Sequence, residues 1–209
     1  MAKRLALVGL LVAIAAVSAA FSPGKAAEFS WQLTPTGSTA RLRGLSAVSD
    51  SVAWASGSLG TVLRTTNGGA TWQSVGPPGT SALQFRDIEA FDADNAVILS
   101  IGNGTDSRVY VTSDGGATWT LVKANGLSGF RSVVAYAPVK GAKASATAGS
   151  RALIAVGPIG ADYSLDDGHT WRALECAGFH TFSFASRTAV GWGAGEKGRV
   201  ARLDAFPPR

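Results

Sequence analysis

From residue 42 onward, short apolar runs alternate with breaks rich in Gly, Asp and Ser. Leu45-Ser46-Ala47-Val48, Val52-Ala53-Trp54-Ala55 and Val62 to Thr65 form a first group. Phe85 to Phe91, Ala96 to Leu99 and Val109-Tyr110-Val111 form a second. Val133 to Tyr136, Ala152 to Val156 and Tyr163 form a third, and Thr181 to Phe184, Val190-Gly191-Trp192 and Gly198 to Arg202 a fourth. Runs this short, bounded by turn residues and lacking a 3.6-residue period, predict strands. No stretch after residue 30 reads as an amphipathic helix.

Three of the breaks share one spelling. Thr65-Thr66-Asn67-Gly68-Gly69-Ala70-Thr71-Trp72 returns as Thr112-Ser113-Asp114-Gly115-Gly116-Ala117-Thr118-Trp119 and as Ser164-Leu165-Asp166-Asp167-Gly168-His169-Thr170-Trp171. Each copy lies between apolar runs, so each predicts strand, tight turn, strand. The Asn or Asp side chain can hydrogen-bond backbone just ahead of it, and Gly accepts positive φ. Thr suits the outgoing strand, and Trp offers a large apolar plate to the next layer. The spelling resembles the Asp-box, or bacterial neuraminidase repeat, of β-propeller blades. That resemblance implies structural roles for Asn67, Gly69, Trp72, Asp114, Gly116, Trp119, Asp166, Gly168 and Trp171, on the face away from a binding site.

The tryptophans at 72, 119 and 171 are 47 and 52 residues apart, the period of a four-stranded propeller blade. The expected architecture is all-β: a propeller of about four blades, at about 42–75, 85–122, 130–174 and 179–205. The stretch 140–150, rich in Ala, Gly, Ser and Lys, is expected to be a long blade loop. The fourth group stops without its outer strand and Trp. Trp31-Gln32-Leu33 resembles Trp72-Gln73-Ser74-Val75, so 31–33 is expected to complete the last blade and remove an exposed edge.

The first 27 residues differ in kind. Lys3 and Arg4 precede an uncharged apolar run from Leu5 to Ala20, followed by small residues. This reads as a secretory signal peptide, with no stable membrane span after cleavage, and predicts a periplasmic or secreted propeller domain over 28–209. Cleavage changes the charge picture. Residues 1–27 hold Lys3, Arg4 and Lys25 and no acid, so the formal charge falls from +5 to +2. A charge that small gives no argument for nucleic acid. Cys176 is the single cysteine, so the fold is expected to stand without an internal disulfide.

Val52-Ala53-Trp54-Ala55-Ser56-Gly57, Gly60-Thr61-Val62-Leu63-Arg64-Thr65 and Gly68-Gly69-Ala70-Thr71-Trp72 together look like the photosystem II stability and assembly factor family, which includes exported bacterial relatives. The resemblance spans about residues 29–205 and implies a binding scaffold without a cofactor. Those propellers have about seven blades. With material for four, this chain either closes as a small ring or pairs with a second copy as a homodimer.

Candidate chemistry gathers at the starts of the inner strands. Arg43 precedes Gly44-Leu45, Arg86 precedes Asp87-Ile88, Arg131 precedes Ser132-Val133, and His180 precedes Thr181-Phe182. One such position in each of four blades predicts a cationic ring at a channel mouth. Guanidinium forks grip carboxylates and phosphates in pairs of bonds, so the expected partner is a protein segment or another acidic ligand. The alternative for each Arg is pairing with its own neighbour, such as Asp87.

The competing class is a sialidase-like or other glycoside hydrolase. Sialidases share the Asp-box and use an arginine triad, a Tyr nucleophile and acidic partners. Phe85-Arg86-Asp87-Ile88 only faintly echoes their first arginine motif, and Tyr110 and Tyr163 fall directly before the repeats. Asp87 and Glu89 on one strand face, ~7 Å apart by strand geometry, could be a carboxylate pair of inverting separation. His169 and His180 are the only histidines, and no Cys or Asp cluster gives them metal-ligand spacing. Neither a metal nor another cofactor is expected.

Overall fold

In the computed structural model, residues 32–101, 107–122, 127–138, 151–185, 188–204 and 206 are described. The expected signal segment, Trp31 and the 140–150 loop lie outside these residues. Among the described residues no helix is long and apolar enough to cross a membrane.

The chain is all-β and builds a four-bladed β-propeller from antiparallel sheets. Sheet one holds β1 (Leu42–Ala47), β2 (Ala53–Gly57), β3 (Val62–Thr65) and β4 (Gln73–Ser74). Sheet two holds β5 (Gln84–Ala90), β6 (Ala96–Ile101), β7 (Val109–Thr112) and β8 (Thr120–Leu121). Sheet three holds β9 (Val133–Tyr136), β10 (Leu153–Gly157), β11 (Gly160–Ser164) and β12 (Arg172–Leu174). Sheet four holds β13 (Thr181–Phe184), β14 (Gly191–Ala194) and β15 (Val200–Leu203), with a 3₁₀ turn at Glu196–Gly198. Consecutive strands pair antiparallel within each sheet.

The expected outer strand of sheet four is not among these ladders. Gln32 and Leu33 lie in no strand, and sheet four has three strands among the described residues. Two polar atoms place the residue that follows them: Trp72 donates from Nε1 to Thr34 Oγ1 at 3.2 Å, at the outer corner of sheet one.

Side chains alternate across each strand, so every inner sheet offers an apolar face to both neighbours. Sheets one and two close on Trp54, Val62, Phe85, Ile88 and Ile98. Sheets two and three close on Val97, Leu99, Val111, Leu153 and Trp171. Sheets three and four close on Ile154, Val156, Phe179 and Phe182. The inner strands follow the same order, β1 packing on β5, β5 on β9 and β9 on β13. Three apolar layers thus join four blades, and among the described residues no fourth layer joins sheet four to sheet one.

The three repeat turns fix the outer corners by one mechanism. In the second copy, Thr112 Oγ1 donates to Asp114 Oδ1 at 2.8 Å and accepts the Gly116 N–H at 3.0 Å. Asp114 then accepts the Thr118 N–H at 2.9 Å and the Thr118 hydroxyl at 2.5 Å. Asn67 and Asp166 repeat the bond to the residue four ahead. Gly69, Gly116 and Gly168 sit at φ 84°, 84° and 88°, where a Cβ is strained. The third copy places Asp167 at φ 58°, where the other copies have Gly68 and Gly115. Its carboxylate is held by Arg151 Nε at 2.7 Å. Trp119 Nε1 reaches back to Val75 O at 2.6 Å, tying the second turn to the sheet before it.

Candidate functional site

The inner strands of sheets one and two each carry a β-bulge, and an arginine occupies it. Pairing jumps from Leu42 to Gly44 in β1 and from Phe85 to Asp87 in β5, leaving Arg43 and Arg86 as the extra residues. A bulge removes a residue from the ladder and re-aims its side chain. Both arginines are exposed, and neither takes part in an ion pair or a side-chain hydrogen bond among the described residues. Gly44 lets the two strands approach. A Cβ there would lie 2.4 Å from Ser56 Oγ and 2.8 Å from Asp87 Cα.

The other two predicted positions behave differently. His180 is exposed beside β13, donates its N–H to Ala194 O, and has Nε2 3.4 Å from Glu196 Oε1. Arg131 is not at the mouth. It is 2% exposed, with Nε 2.7 Å from Asp162 Oδ2, Nη1 donating to Phe130 O and Nη2 to Ser128 Oγ. Asp162 is itself buried and accepts the Ser128 N–H. The reason is a slip of one residue in the alignment. Gly57 and Gly157 close the second strands of sheets one and three, and Gly195 directly follows that of sheet four. A Cβ on each would meet the carbonyl oxygen of Arg41, Phe130 and Gly178 respectively. Two residues on from these carbonyls stand Arg43, Ser132 and His180. Arg131 therefore corresponds to Leu42, Phe85 and Phe179, a position that in sheets two and four is buried in the interblade core. Counting from the second-strand glycines finds this; counting from the arginines does not.

Beside the two free guanidinia lie two carboxylates that bind the next blade. Asp87 Oδ2 accepts the Val134 N–H at 2.8 Å, and Glu89 lies 3.5 Å from both the Tyr136 N–H and Ser46 Oγ. These bonds satisfy backbone donors on the inner edge of β9. Burial raises Asp87 from an ordinary 3.8 to about 6, against the opposing Val134 bond and the Arg86 charge. Burial likewise raises Glu89 from 4.5 to about 7, with Tyr136 opposing and the charge of Asp87 adding. Asp114 moves the other way, to about 2, chiefly through the Thr118 hydroxyl.

The two sets act in different pH windows. Asp87 and Glu89 bind more protons folded than unfolded, so their contribution is full below about pH 4 and falls as pH rises through about 6 and 7. Asp114 contributes fully above its unfolded value and loses that contribution as pH falls toward about 2. Urea midpoints measured from about pH 4 to about pH 8 should decline for the wild type from about pH 4 to about pH 7 and level off above it. The Asp87→Asn, Glu89→Gln double variant should show a flatter profile.

Two residues escaped the sequence reading. Arg151 stacks its guanidinium 4.0 Å from the Phe91 ring while holding Asp167. With Thr112, Thr118, Tyr136 and His169 it lines a cleft between sheets two and three. Ser132 occupies the third bulge-equivalent position and donates to His180 O at 3.0 Å. Among the described residues no group of His, Cys, Asp and Glu has metal-binding geometry.

No protein-family model matches the sequence, and no curated protein matches it. Solved structures do match. A structure described as YCF48 bound to D1 peptide aligns at TM-score 0.56 and 17% identity, over 84% of this chain and 52% of that one. An ancestral GH74 enzyme aligns at TM-score 0.56 and 15% identity, over 78% of this chain and 23% of that one. This chain therefore spans about half the length of the first and about a quarter of the second. At these identities the matches establish the propeller fold.

Proposed function

We propose that this chain is an exported, non-catalytic binding scaffold of the photosystem II assembly-factor type, and that it captures an acidic protein segment at the face carrying Arg43 and Arg86. The observation that carries the reading is the pair of exposed guanidinia on matching bulges of adjacent blades, unused by the fold. YCF48, a peptide-bound propeller, supports it by its similarity in fold. The 27-residue N-terminal segment supports export. Its pattern is a basic start, an apolar run and small residues.

A second reading, glycoside hydrolysis, is favoured by the GH74 match and by the raised pair Asp87 and Glu89. Against it, both carboxylates are engaged with blade three through backbone N–H groups. An array of acidic peptides and a panel of aryl glycosides separate the two. The proposed function predicts salt-sensitive peptide retention and no turnover. Turnover lost in Glu89→Gln would establish the hydrolase instead.

A further inference from the structure

Sheet four is the last sheet among the described residues, and its far face repeats a motif that sheet one uses to receive the next blade. In sheet one, Ser46, Trp54 and Arg64 stand side by side across three strands. In sheet four, Ser183, Trp192 and Arg202 stand in the same row. The first row is fully used. Trp54 is 0% exposed, packs edge-on to Trp119 at 6.4 Å and donates to Asp92 O. Arg64 lies over the Trp54 ring and donates to Gly115 O in the next blade's turn at 2.7 Å. The second row is bare. Trp192 is 50% exposed, Val200 beside it is 64% exposed, and Arg202 turns to its neighbour Asp204.

The chain also carries a surface of the kind that covers such a row. Trp54 is covered by sheet two through the cross-strand row Ile88, Ile98 and Tyr110 and the Ala90–Ala96 pair. In sheet one the same positions are Leu45, Ala55 and Leu63, and the Ala47–Ala53 pair. Within that set Ala55 and Leu63 are already buried, and Leu45 is 69% exposed, with Leu42 and Ala47 also exposed along the inner strand.

We propose that the far face of sheet four docks on the leading face of sheet one of a second copy, head to tail, with the reciprocal contact closing a two-fold ring of eight blades. A heterologous contact of this kind leads to either a closed ring or an open filament; two arcs that meet at both ends give the ring. Trp192 takes the place against the partner that Trp54 has against sheet two. Arg202 leaves Asp204 for the partner's Gly68 carbonyl, which matches Gly115 in the repeat. The contact goes beyond the peptide-capture reading and needs neither Arg43 nor Arg86.

Light scattering on the protein purified after export tests this. The expected mass is twice that of the chain, and Trp192→Ala together with Arg202→Ala returns it to one copy with an unchanged circular-dichroism spectrum and the melting point of wild-type protein diluted to a single copy. To fix the direction of docking, Cys176→Ser protein carrying Val200→Cys is mixed with Cys176→Ser protein carrying Leu45→Cys and treated with a short bis-maleimide. Cross-linking in the mixture, absent from either protein alone, supports head-to-tail docking. A wild-type monomer at high concentration, a filament, a dimer indifferent to the double substitution, or cross-linking of Val200→Cys to itself would each overturn the proposal.

Discussion

Replacing Arg131 with Ala is expected to lower the unfolding free energy by about 3–5 kcal/mol, a large share of what a domain possesses. The guanidinium and the Asp162 carboxylate are both buried, 2.7 Å apart. Removing one leaves the other charged, dehydrated and unpaired. Two further groups lose their partner with it, Ser128 Oγ and the Phe130 carbonyl. The damage is one-sided, which gives the argument its check. Arg131→Met combined with Asp162→Leu removes both charges and should recover much of the loss, because an apolar pair of similar volume no longer strands an ion. Urea unfolding of the wild type, the single and the double variant measures the difference. A single variant as stable as the wild type would show that the pair contributes nothing, and would return Arg131 to consideration as a ligand residue.

The second large effect separates two tryptophans in the same register. Trp54→Ala should cost about 3–5 kcal/mol, the range for removing a fully buried aromatic side chain. It empties the layer between sheets one and two, unseats the edge-on contact with Trp119 and leaves Arg64 without its ring. Trp192→Ala, measured at a concentration where the protein is a single copy, should shift stability by only about 0.5 kcal/mol, the usual size for an exposed position. Thermal melts of the two variants provide the comparison. Equal losses would mean that Trp192 is covered within its own chain and that sheet four has a neighbour.

The fold was legible because its signals are local. Thr112, Asp114, Gly116 and Thr118 make their bonds within one turn, so the residue types and their spacing are sufficient to announce it. The period of the tryptophans then counts blades. Strand limits such as Val133–Tyr136 and Thr181–Phe184 follow from the apolar runs themselves. What the sequence hid depends on contacts between blades. Arg131 looks like Arg43 and Arg86 in a linear string, because each stands just before the inner-strand run. The packing of Gly157 on Phe130 aligns Ser132 with Arg43 and Arg86, and the burial of Arg131 against Asp162 shows that it faces inward. Asp87 and Glu89 were visible as a pair on one strand face, yet their engagement with Val134 and Tyr136 is a relation between strands about 47 residues apart in the chain. The absence of an apolar layer between sheets four and one, among the described residues, belongs to the same class.

The most direct test of the account is a titration of an acidic peptide retained by the array, carried out on the wild type, on Arg43→Ala with Arg86→Ala, and on Ser132→Ala. A hydrogen bond to a charged group contributes about 1.5–3 kcal/mol, so losing both arginines should weaken binding at least about tenfold, with no change in melting temperature and a shallower dependence on salt. Ser132→Ala should bind as the wild type does. Unchanged affinity in the double-arginine variant would contradict the assignment of the bulge arginines as the capture surface.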